Sequence, residues 1–328
     1  MKHYCLLLLV ASTTAVLSAA GPEPKYKAPR TENGQPDLRG VWSFSSDVPL
    51  ERPVSAGDKK LFTREELVAR RTAKTKALLM ISTLVPVEDV SLDWLEFSGR
   101  VEDLRTSLIT YPVNGRLPKL VDGVRRTPGA DEIITSLAEA NGTIPPGLAS
   151  FLAPGKKDGP NDFGAAERCL FGGGPPYTPD LANIYVQVIQ ARDHVVLMTE
   201  TKTRIVPLDG RPHVAETLRS WAGDSRGHWE GETLVVETRN FTRRTASFAG
   251  AGNALSKVVT ERFTRVSKDV LDYEATIVDP KTFEDTVVFS LPVSRVDVGI
   301  YESACHEGNY SLANALSAAR KEEQQAVK

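Results

Sequence analysis

The chain has 328 residues, with 40 lysine and arginine side chains against 42 aspartate and glutamate side chains, for a formal net charge of −2. These charges are scattered, and no basic stripe is present that would neutralise phosphates, so we predict no nucleic-acid partner. A chain of this length forms one large domain or two small ones.

The first twenty residues have the pattern of a secretory signal. Lys2 is followed by an apolar run from Tyr4 to Leu17 and by small residues before Gly21. Lys2 is the only formal charge among residues 1–20, so its removal takes the net charge from −2 to −3. The run is too short to span a bilayer, and no later stretch is apolar enough. We therefore expect a periplasmic or secreted protein without a membrane span.

The cysteine content supports export. Cys5 lies in the signal, which leaves Cys169 and Cys305 as an even pair in an oxidising compartment. Their disulfide would close a loop of more than a hundred residues and contribute at most about 4 to 5 kcal/mol through the entropy of the unfolded chain. Two free buried thiols are the alternative.

We expect residues 21–35 to form a flexible arm and residues 36–328 to form one β-barrel-like domain, with a loop and helix insertion at about 45–183. The first strand lies near Trp42, and its Gly40-Val41-Trp42 opening resembles the start of lipocalin-type barrels, in which the tryptophan packs across one end. Thr63 and Glu66 have the spacing of a capping box, which predicts a helix to about Met80. A strand at Thr106–Tyr111 and a short helix at about 131–140 complete this part.

From Ile184 onward, strand patterns follow one another across short turns. Such spacing is typical of an antiparallel meander, and a long meander removes its exposed edges by closing, so we predict a lipocalin-like barrel or a strongly coiled sheet. The predicted strands are Ile184–Gln190, His194–Glu200, Thr203–Leu208, His228–Trp229 with Thr233–Thr238, Lys257–Val266, Val270–Val278, Thr286–Leu291 and Ile300–Ala304. Ser311 is predicted to cap a final helix from Leu312 to about Gln325.

Alternation along two strands predicts the interior of the sheet. Leu271, Tyr273, Ala275 and Ile277 share one face and should be buried. On the strand Lys257–Val266, Glu261 shares one face with Val259 and Phe263, and Arg262 shares the other with Val258 and Val266. One face therefore carries a charge among apolar neighbours, and that charge must be paired or lie in a wet cavity. An ion pair at the rim of the sheet and a contact with a ligand are the two alternatives.

Asp224, His213, His306 and Glu307 have the side chains that acid–base chemistry needs, and Arg226 could hold an anionic group. His213 closes a turn rich in glycine and proline, Asp224 and Arg226 lie between Gly223 and Gly227 in a predicted loop, and His306 follows Cys305. An imidazole titrates near neutrality and a carboxylate can orient it. We predict that His306 or His213 moves a proton, that Asp224 orients the imidazole, and that Arg226 holds an anionic group.

A pocket at the barrel mouth would be lined by Trp229, Tyr301 and Tyr185, with polar groups close by. Those polar groups are His228, Glu302 and Glu307. A three-ligand metal site drawn from the histidines and Asp224 is an alternative, but no His-x-His, His-Glu-x-x-His or Cys-x-x-Cys spacing supports it. We predict no metal and no cofactor.

Several phrases in order along the chain resemble those of a large family of exported proteins from environmental bacteria. They are Pro36-Asp37-Leu38-Arg39-Gly40-Val41-Trp42, the segment from Pro207 to His213, Gly223-Asp224-Ser225-Arg226-Gly227, the segment from Trp229 to Thr238, Glu261–Arg265, and Cys305-His306-Glu307-Gly308-Asn309-Tyr310. The likeness extends over nearly all of the chain after residue 20. It implies a bacterial envelope or secreted setting, and because the family has no established activity, it assigns no catalytic roles.

These patterns predict an exported protein with a pocket for a small organic molecule. If it is an enzyme, the residue types favour cofactor-free hydrolysis, elimination or isomerisation. The alternatives are a non-catalytic small-ligand-binding barrel and a structural protein of the envelope.

Overall fold

The computed structural model describes residues 26–84, 101–126, 158–160, 168–169, 174–179 and 185–326. The described chain is mainly β, with two α-helices, α1 (Arg64–Leu84) and α2 (Tyr310–Ala326), and short 3-10 helices at Val54–Ala56 and Ala254–Ser256. The strands are β1 (Gly40–Ser43), β2 (Ile109–Tyr111), β3 (Tyr185–Gln190), β4 (His194–Met198), β5 (Thr203–Pro207), β6 (Asp224–Glu230), β7 (Thr233–Arg239), β8 (Val258–Arg265), β9 (Val270–Val278) and β10 (Val287–Val296).

All ten strands form one sheet whose hydrogen-bonded pairs are antiparallel. Its order is β5-β4-β3-β1-β10-β9-β8-β7-β6, and β2 pairs with β10 outside this path. β3 to β5 and β6 to β10 each form an antiparallel meander, and β1 lies between β3 and β10 and joins the two.

The edge strands of the sheet approach each other. A Cβ atom on Gly227 of β6 would lie 2.8 Å from side-chain atoms of Val206 and Leu208, so only glycine allows the approach. The described strands contain no backbone pairing between β5 and β6, and the sheet is therefore coiled but not closed by hydrogen bonds.

The strand register defines two ends of the sheet. We call the end with Ser43, Met198, Thr203 and Asp224 the upper end and the opposite one the lower end. At the lower end, the fully buried Trp42 donates from Nε1 to the Leu38 carbonyl oxygen at 2.8 Å, and the Arg265 guanidinium lies 5.8 Å from its ring centre. Arg265 also donates to the Asp37 carbonyl oxygen at 2.9 Å, so this end is filled.

The concave face of the sheet carries the core. Leu271, Tyr273, Ala275 and Ile277 are all buried as predicted, and aromatic rings from β8, β9 and β10 meet in the middle. Phe44 and Tyr177 pack against the same Tyr273 ring, with centroid distances of 5.1 and 6.3 Å. Because side chains fill the middle and lower end, room for a ligand lies at the upper end.

Two local predictions are confirmed. Thr63 and Glu66 form the capping box, with the Thr63 amide donating to Glu66 at 2.7 Å and the Glu66 amide donating to Thr63 at 3.2 Å. The Cys169–Cys305 disulfide is formed and joins residues 136 positions apart.

Three local predictions are wrong. Residues 300–304 form no strand and run as irregular chain, because the segment hydrogen-bonds to the β4–β5 turn (Ser303 amide to Glu200 carbonyl, 2.9 Å) instead of to a sheet edge. The strand predicted at Thr106–Tyr111 is reduced to β2, because Thr106 bonds to the chain at Lys59 and Lys60. The predicted loop at Asp224–Gly227 is the first half of β6.

Residues 26–35 lie against the lower end of the sheet, where Arg30 forms an ion pair with Glu232 and Thr31 is buried. The predicted signal at residues 1–20 and the predicted helix at about 131–140 lie outside the described residues.

Candidate functional site

A cavity of about 690 Å³ opens at the upper end of the sheet. One wall is the turn between β4 and β5, the opposite wall is the chain from Ile300 to His306, and Trp221 and Ala222 lie ahead of β6 between them. The disulfide holds the second wall in place, because Cys169 and Cys305 both line the cavity. The lining combines the apolar and aromatic side chains of Met198, Trp221, Ile300 and Tyr301 with polar and charged ones, namely those of residues 199–203, Glu302, Ser303 and His306.

Lys202 is the cation in this lining. It lies in the turn just before β5, two residues before Arg204, whose side chain is buried on the inner side of the sheet. Burial, and next the positive charge of Arg204, lower the pKa of Lys202 to about 8, whereas Glu261 opposes that shift.

Arg204 and Glu261 form a buried ion pair on the inner side of Lys202. The guanidinium donates to both carboxylate oxygens, at 2.6 and 3.0 Å, and the two residues are 7% and 0% exposed. The Tyr273 hydroxyl donates to the same carboxylate at 2.9 Å and accepts from the Tyr177 amide at 2.9 Å. The charge that this strand carries on its buried face is thus Glu261, and its ion pair lies in the core rather than at the rim of the sheet.

Lys257 is a second buried amine close to this pair. Its Nζ donates to the Ser247 carbonyl oxygen at 2.8 Å and lies 4.2 Å from the centre of the Phe241 ring, with two longer bonds to the carbonyl oxygens of Pro175 and Ala246. Burial lowers the pKa of Lys257 to about 7, and the charge of Lys202 acts in the same direction.

His213, Asp224 and Arg226 come together in a separate cluster on β6 and β7. The His213 imidazole bridges two carboxylates, with Nδ1 2.8 Å from Asp224 and Nε2 3.1 Å from Glu237. Arg226 lies 2.8 Å from the other Asp224 oxygen and donates to the Pro212 carbonyl oxygen at 3.1 Å. Since every one of these polar groups already has a protein partner, the cluster fixes the turn before β6 to the sheet.

His306 is placed differently from the other three predicted catalytic residues. It is exposed and lines the cavity, whereas His213, Asp224 and Arg226 are absent from the described lining. The structure therefore brings His213, Asp224 and Arg226 into contact and places His306 with Lys202 and Tyr301.

The predicted ligand-binding residues also divide into two groups. Tyr301 and Glu302 line the cavity. The others lie elsewhere: Tyr185 begins β3, His228 is exposed and 3.1 Å from Glu230, Trp229 packs against the core in β6, and Glu307 is exposed in the turn before α2.

Sequence reasoning did not identify Lys202, Arg204, Lys257 or Trp221. A signal for Arg204 was present, because the period of two places it on the same face as Val206, in a strand that also contains the β-branched residues Thr203 and Ile205. Glu261 shows the same conflict between charge and an apolar face on β8. Because Arg204 and Glu261 have opposite charges and both face the interior of the sheet, their pairing could have been predicted from the sequence.

Searches against protein-family models, curated proteins and solved structures give no match to this chain. Within the described ranges, histidine, cysteine and acidic side chains form no group of three or more that could hold a metal ion. Neither helix in that part of the chain combines the length and apolar character needed to cross a membrane.

Proposed function

We propose that this protein binds small organic molecules in the cavity between the β4–β5 turn and the chain from Ile300 to His306. The observation that carries the proposal is the cavity itself, whose volume of about 690 Å³ falls in the usual range for ligand pockets, about 300 to 1,000 Å³. Aromatic and apolar side chains with a few polar groups are the usual lining of such pockets.

The proposal includes a barrel-like scaffold and an exported setting. A barrel-like arrangement, with the sheet edges in side-chain contact and not hydrogen-bonded, is supported by the approach of β5 to β6 around Gly227 and by the packed lower end at Trp42. Export to the periplasm or medium is supported by the disulfide, because such bonds persist in oxidising compartments. We propose neither a nucleic-acid partner nor a cofactor.

Cofactor-free acid–base catalysis is a second candidate, favoured by the presence of His306 and Glu302 in one cavity lining. Ligand binding is the better supported of the two. The imidazole that does have an orienting carboxylate, His213, uses both ring nitrogens for Asp224 and Glu237, which leaves neither nitrogen available to a substrate.

The test is equilibrium binding of three aromatic probes, 2-naphthoate, 2-naphthamide and 2-naphthylmethylamine, to the full chain with its disulfide intact. We expect saturable binding of at least one probe, weakened about tenfold by Tyr301→Ala because an aromatic wall is lost. Tyr111→Ala is the matched control, since Tyr111 is also exposed but lies on β2 and donates to Asp285. Absence of binding by all three probes, or equal weakening by both substitutions, would contradict the proposal.

A further inference from the structure

Lys202 places a primary amine at the cavity of the upper end. The residue is partly buried and belongs to the lining together with Trp221 and Tyr301. A lysine in such surroundings becomes a nucleophile when it loses one proton, because the neutral amine carries a lone pair. Hydrogen bonds that an amine donates use its hydrogens, so the lone pair stays available whatever groups accept from it.

The surroundings of Lys202 favour its neutral form. Burial disfavours the ammonium and the positive charge of Arg204 repels it, so the pKa of Lys202 is lowered to about 8, although Glu261 opposes the shift. Arg204 is fixed in position by its two bonds to Glu261, at 2.6 and 3.0 Å. Burial and a neighbouring cation are two of the means by which proteins activate a lysine.

The lowered pKa changes the amount of nucleophile at neutral pH. At pH 7 about a tenth of the Lys202 amines are neutral, against about one in a few thousand for a lysine with an ordinary pKa. Lys202 should therefore react with an electrophile in the cavity much faster than a surface lysine does.

The other titratable side chains of the lining can assist such a reaction. They are Glu200, Glu302 and His306, besides Tyr301. Carboxylates in the lining favour the ammonium form, and the pKa of Lys202 is lowered in their presence. A carboxylic acid or an imidazole can also transfer the protons that are needed when water leaves a carbon atom.

Lys257 is the second amine with a lowered pKa, and it is placed differently. It is 3% exposed, and its Nζ donates to the backbone carbonyl oxygen of Ser247 at 2.8 Å. Lys257 is absent from the described lining of the cavity, whereas Lys202 is part of it. A ligand in the cavity would therefore meet Lys202 and not Lys257.

We propose that Lys202 forms a Schiff base with small aromatic aldehydes in this cavity, with the aromatic ring of the ligand against Trp221 and Tyr301. The neutral Nζ attacks the carbonyl carbon and a carbon–nitrogen bond forms, while one amine proton passes to the carbonyl oxygen. The resulting hydroxyl leaves as water with the second amine proton, which gives the imine without any oxidant or reductant. This inference rests on the proposed ligand-binding function and adds the reacting residue and the chemical class of the ligand.

The experiment traps the imine in the wild-type chain with its disulfide intact. The chain is incubated at pH 7 with 2-naphthaldehyde and sodium cyanoborohydride, which reduces an imine to a stable secondary amine. Peptide mass spectrometry should show an addition at Lys202 equal to the mass of the aldehyde less one oxygen atom. The addition at Lys202 should be at least about tenfold faster than at Lys268, which is exposed in the β8–β9 turn.

A competitor shows whether the reaction takes place in the cavity. An excess of 2-naphthoate or 2-naphthamide, whichever binds more tightly, should slow the addition at Lys202 and leave that at Lys268 unchanged. Lys202→Met should abolish the fast addition and leave 2-naphthamide affinity within about threefold, and Lys268→Met is the matched control. The comparison of the two lysines in the wild-type chain does not depend on whether either variant folds.

Three outcomes would overturn the inference. They are an addition at Lys202 no faster than at Lys268, an addition that the competitor does not slow, and a fast addition that persists in Lys202→Met. If the naphthalene probes still bind in any of these cases, the binding function stands without the Schiff base. Absence of both probe binding and fast addition would overturn the two proposals together.

Discussion

The buried ion pair between Arg204 and Glu261 gives the most direct test of how the interior is stabilised. Replacing Arg204 with methionine removes the guanidinium and leaves the Glu261 carboxylate, which is 0% exposed, with Tyr273 as its hydrogen-bond donor among the described residues. Two short bonds, at 2.6 and 3.0 Å, are lost at once. Removing one partner of a buried pair costs about 3 to 5 kcal/mol because it leaves an uncompensated charge.

That cost is large compared with the total stability of a domain, which is about 5 to 15 kcal/mol. We therefore expect Arg204→Met to lower the free energy of unfolding, measured by urea denaturation with circular dichroism, by about 3 to 5 kcal/mol. The double variant Arg204→Met with Glu261→Met removes both charges together. It should recover most of the loss, because apolar side chains of similar volume replace a buried pair at little net cost.

The two single variants and the double variant form a thermodynamic cycle. The reasoning predicts a coupling energy of more than about 2 kcal/mol between Arg204 and Glu261. Single variants that each lose less than about 1 kcal/mol would refute it, since such a loss is typical of a solvated surface pair. So would a double variant whose loss equals the sum of the two single losses.

Three further predictions concern other parts of the molecule. Replacing Cys169 and Cys305 with serine should lower the free energy of unfolding by at most about 5 kcal/mol, because the bond restricts a loop of 136 residues in the unfolded chain. The same replacement should weaken probe binding, because the cavity wall at Cys305 is no longer held by the disulfide. Equal probe affinity with and without the disulfide would contradict this prediction. His213→Ala should cost about 1 to 3 kcal/mol of stability by leaving Asp224 partly unpaired while leaving 2-naphthoate affinity unchanged, and a selective loss of affinity would contradict the structural role. Burial lowers the pKa of Lys257 to about 7, so the unfolded chain binds more protons than the folded one between pH 7 and about pH 10. The free energy of unfolding should therefore rise by about 1.4 kcal/mol per pH unit over this pH range because of Lys257. Urea denaturation at several pH values tests this, and an equal rise in the Lys257→Met variant would contradict it.

Most strands and the disulfide could be predicted from the sequence, because each depends on a short pattern or on one pair of residues. On β9, Leu271 and Tyr273 lie two residues apart, and the period of two places both in the core. The pairing of Cys169 with Cys305 needs only their number and an oxidising compartment. Such features are predictable because each depends on few residues.

The start of β6 was missed because glycine and polar residues are typical of loops. In the structure, Ser225 and Gly227 face inward and Asp224 and Arg226 face outward, so the strand period is present with small residues on the inner face. Gly227 is required there because Val206 and Leu208 of the other sheet edge lie against it. That requirement belongs to the tertiary structure and is invisible along the chain.

The segment Ile300–Ala304 shows the opposite error. Ile300 and Tyr301 have side chains that are enriched in strands, but a strand also needs a partner edge to pair with. The Ser303 amide instead bonds to Glu200, and Cys305 attaches the segment to Cys169. The position of Lys202 in the cavity could not be predicted for a similar reason, because it depends on two distant parts of the chain meeting at the upper end.

The central claim, that a small organic molecule binds in the cavity between the β4–β5 turn and the chain from Ile300 to His306, is tested most directly by locating a bound probe. A crystal structure of the disulfide-bonded chain, soaked with the tightest-binding of the three naphthalene probes, should show the probe ring in contact with Tyr301 or Trp221. A probe found only outside this cavity, or crystals without a bound probe at a concentration well above its Kd, would contradict the account.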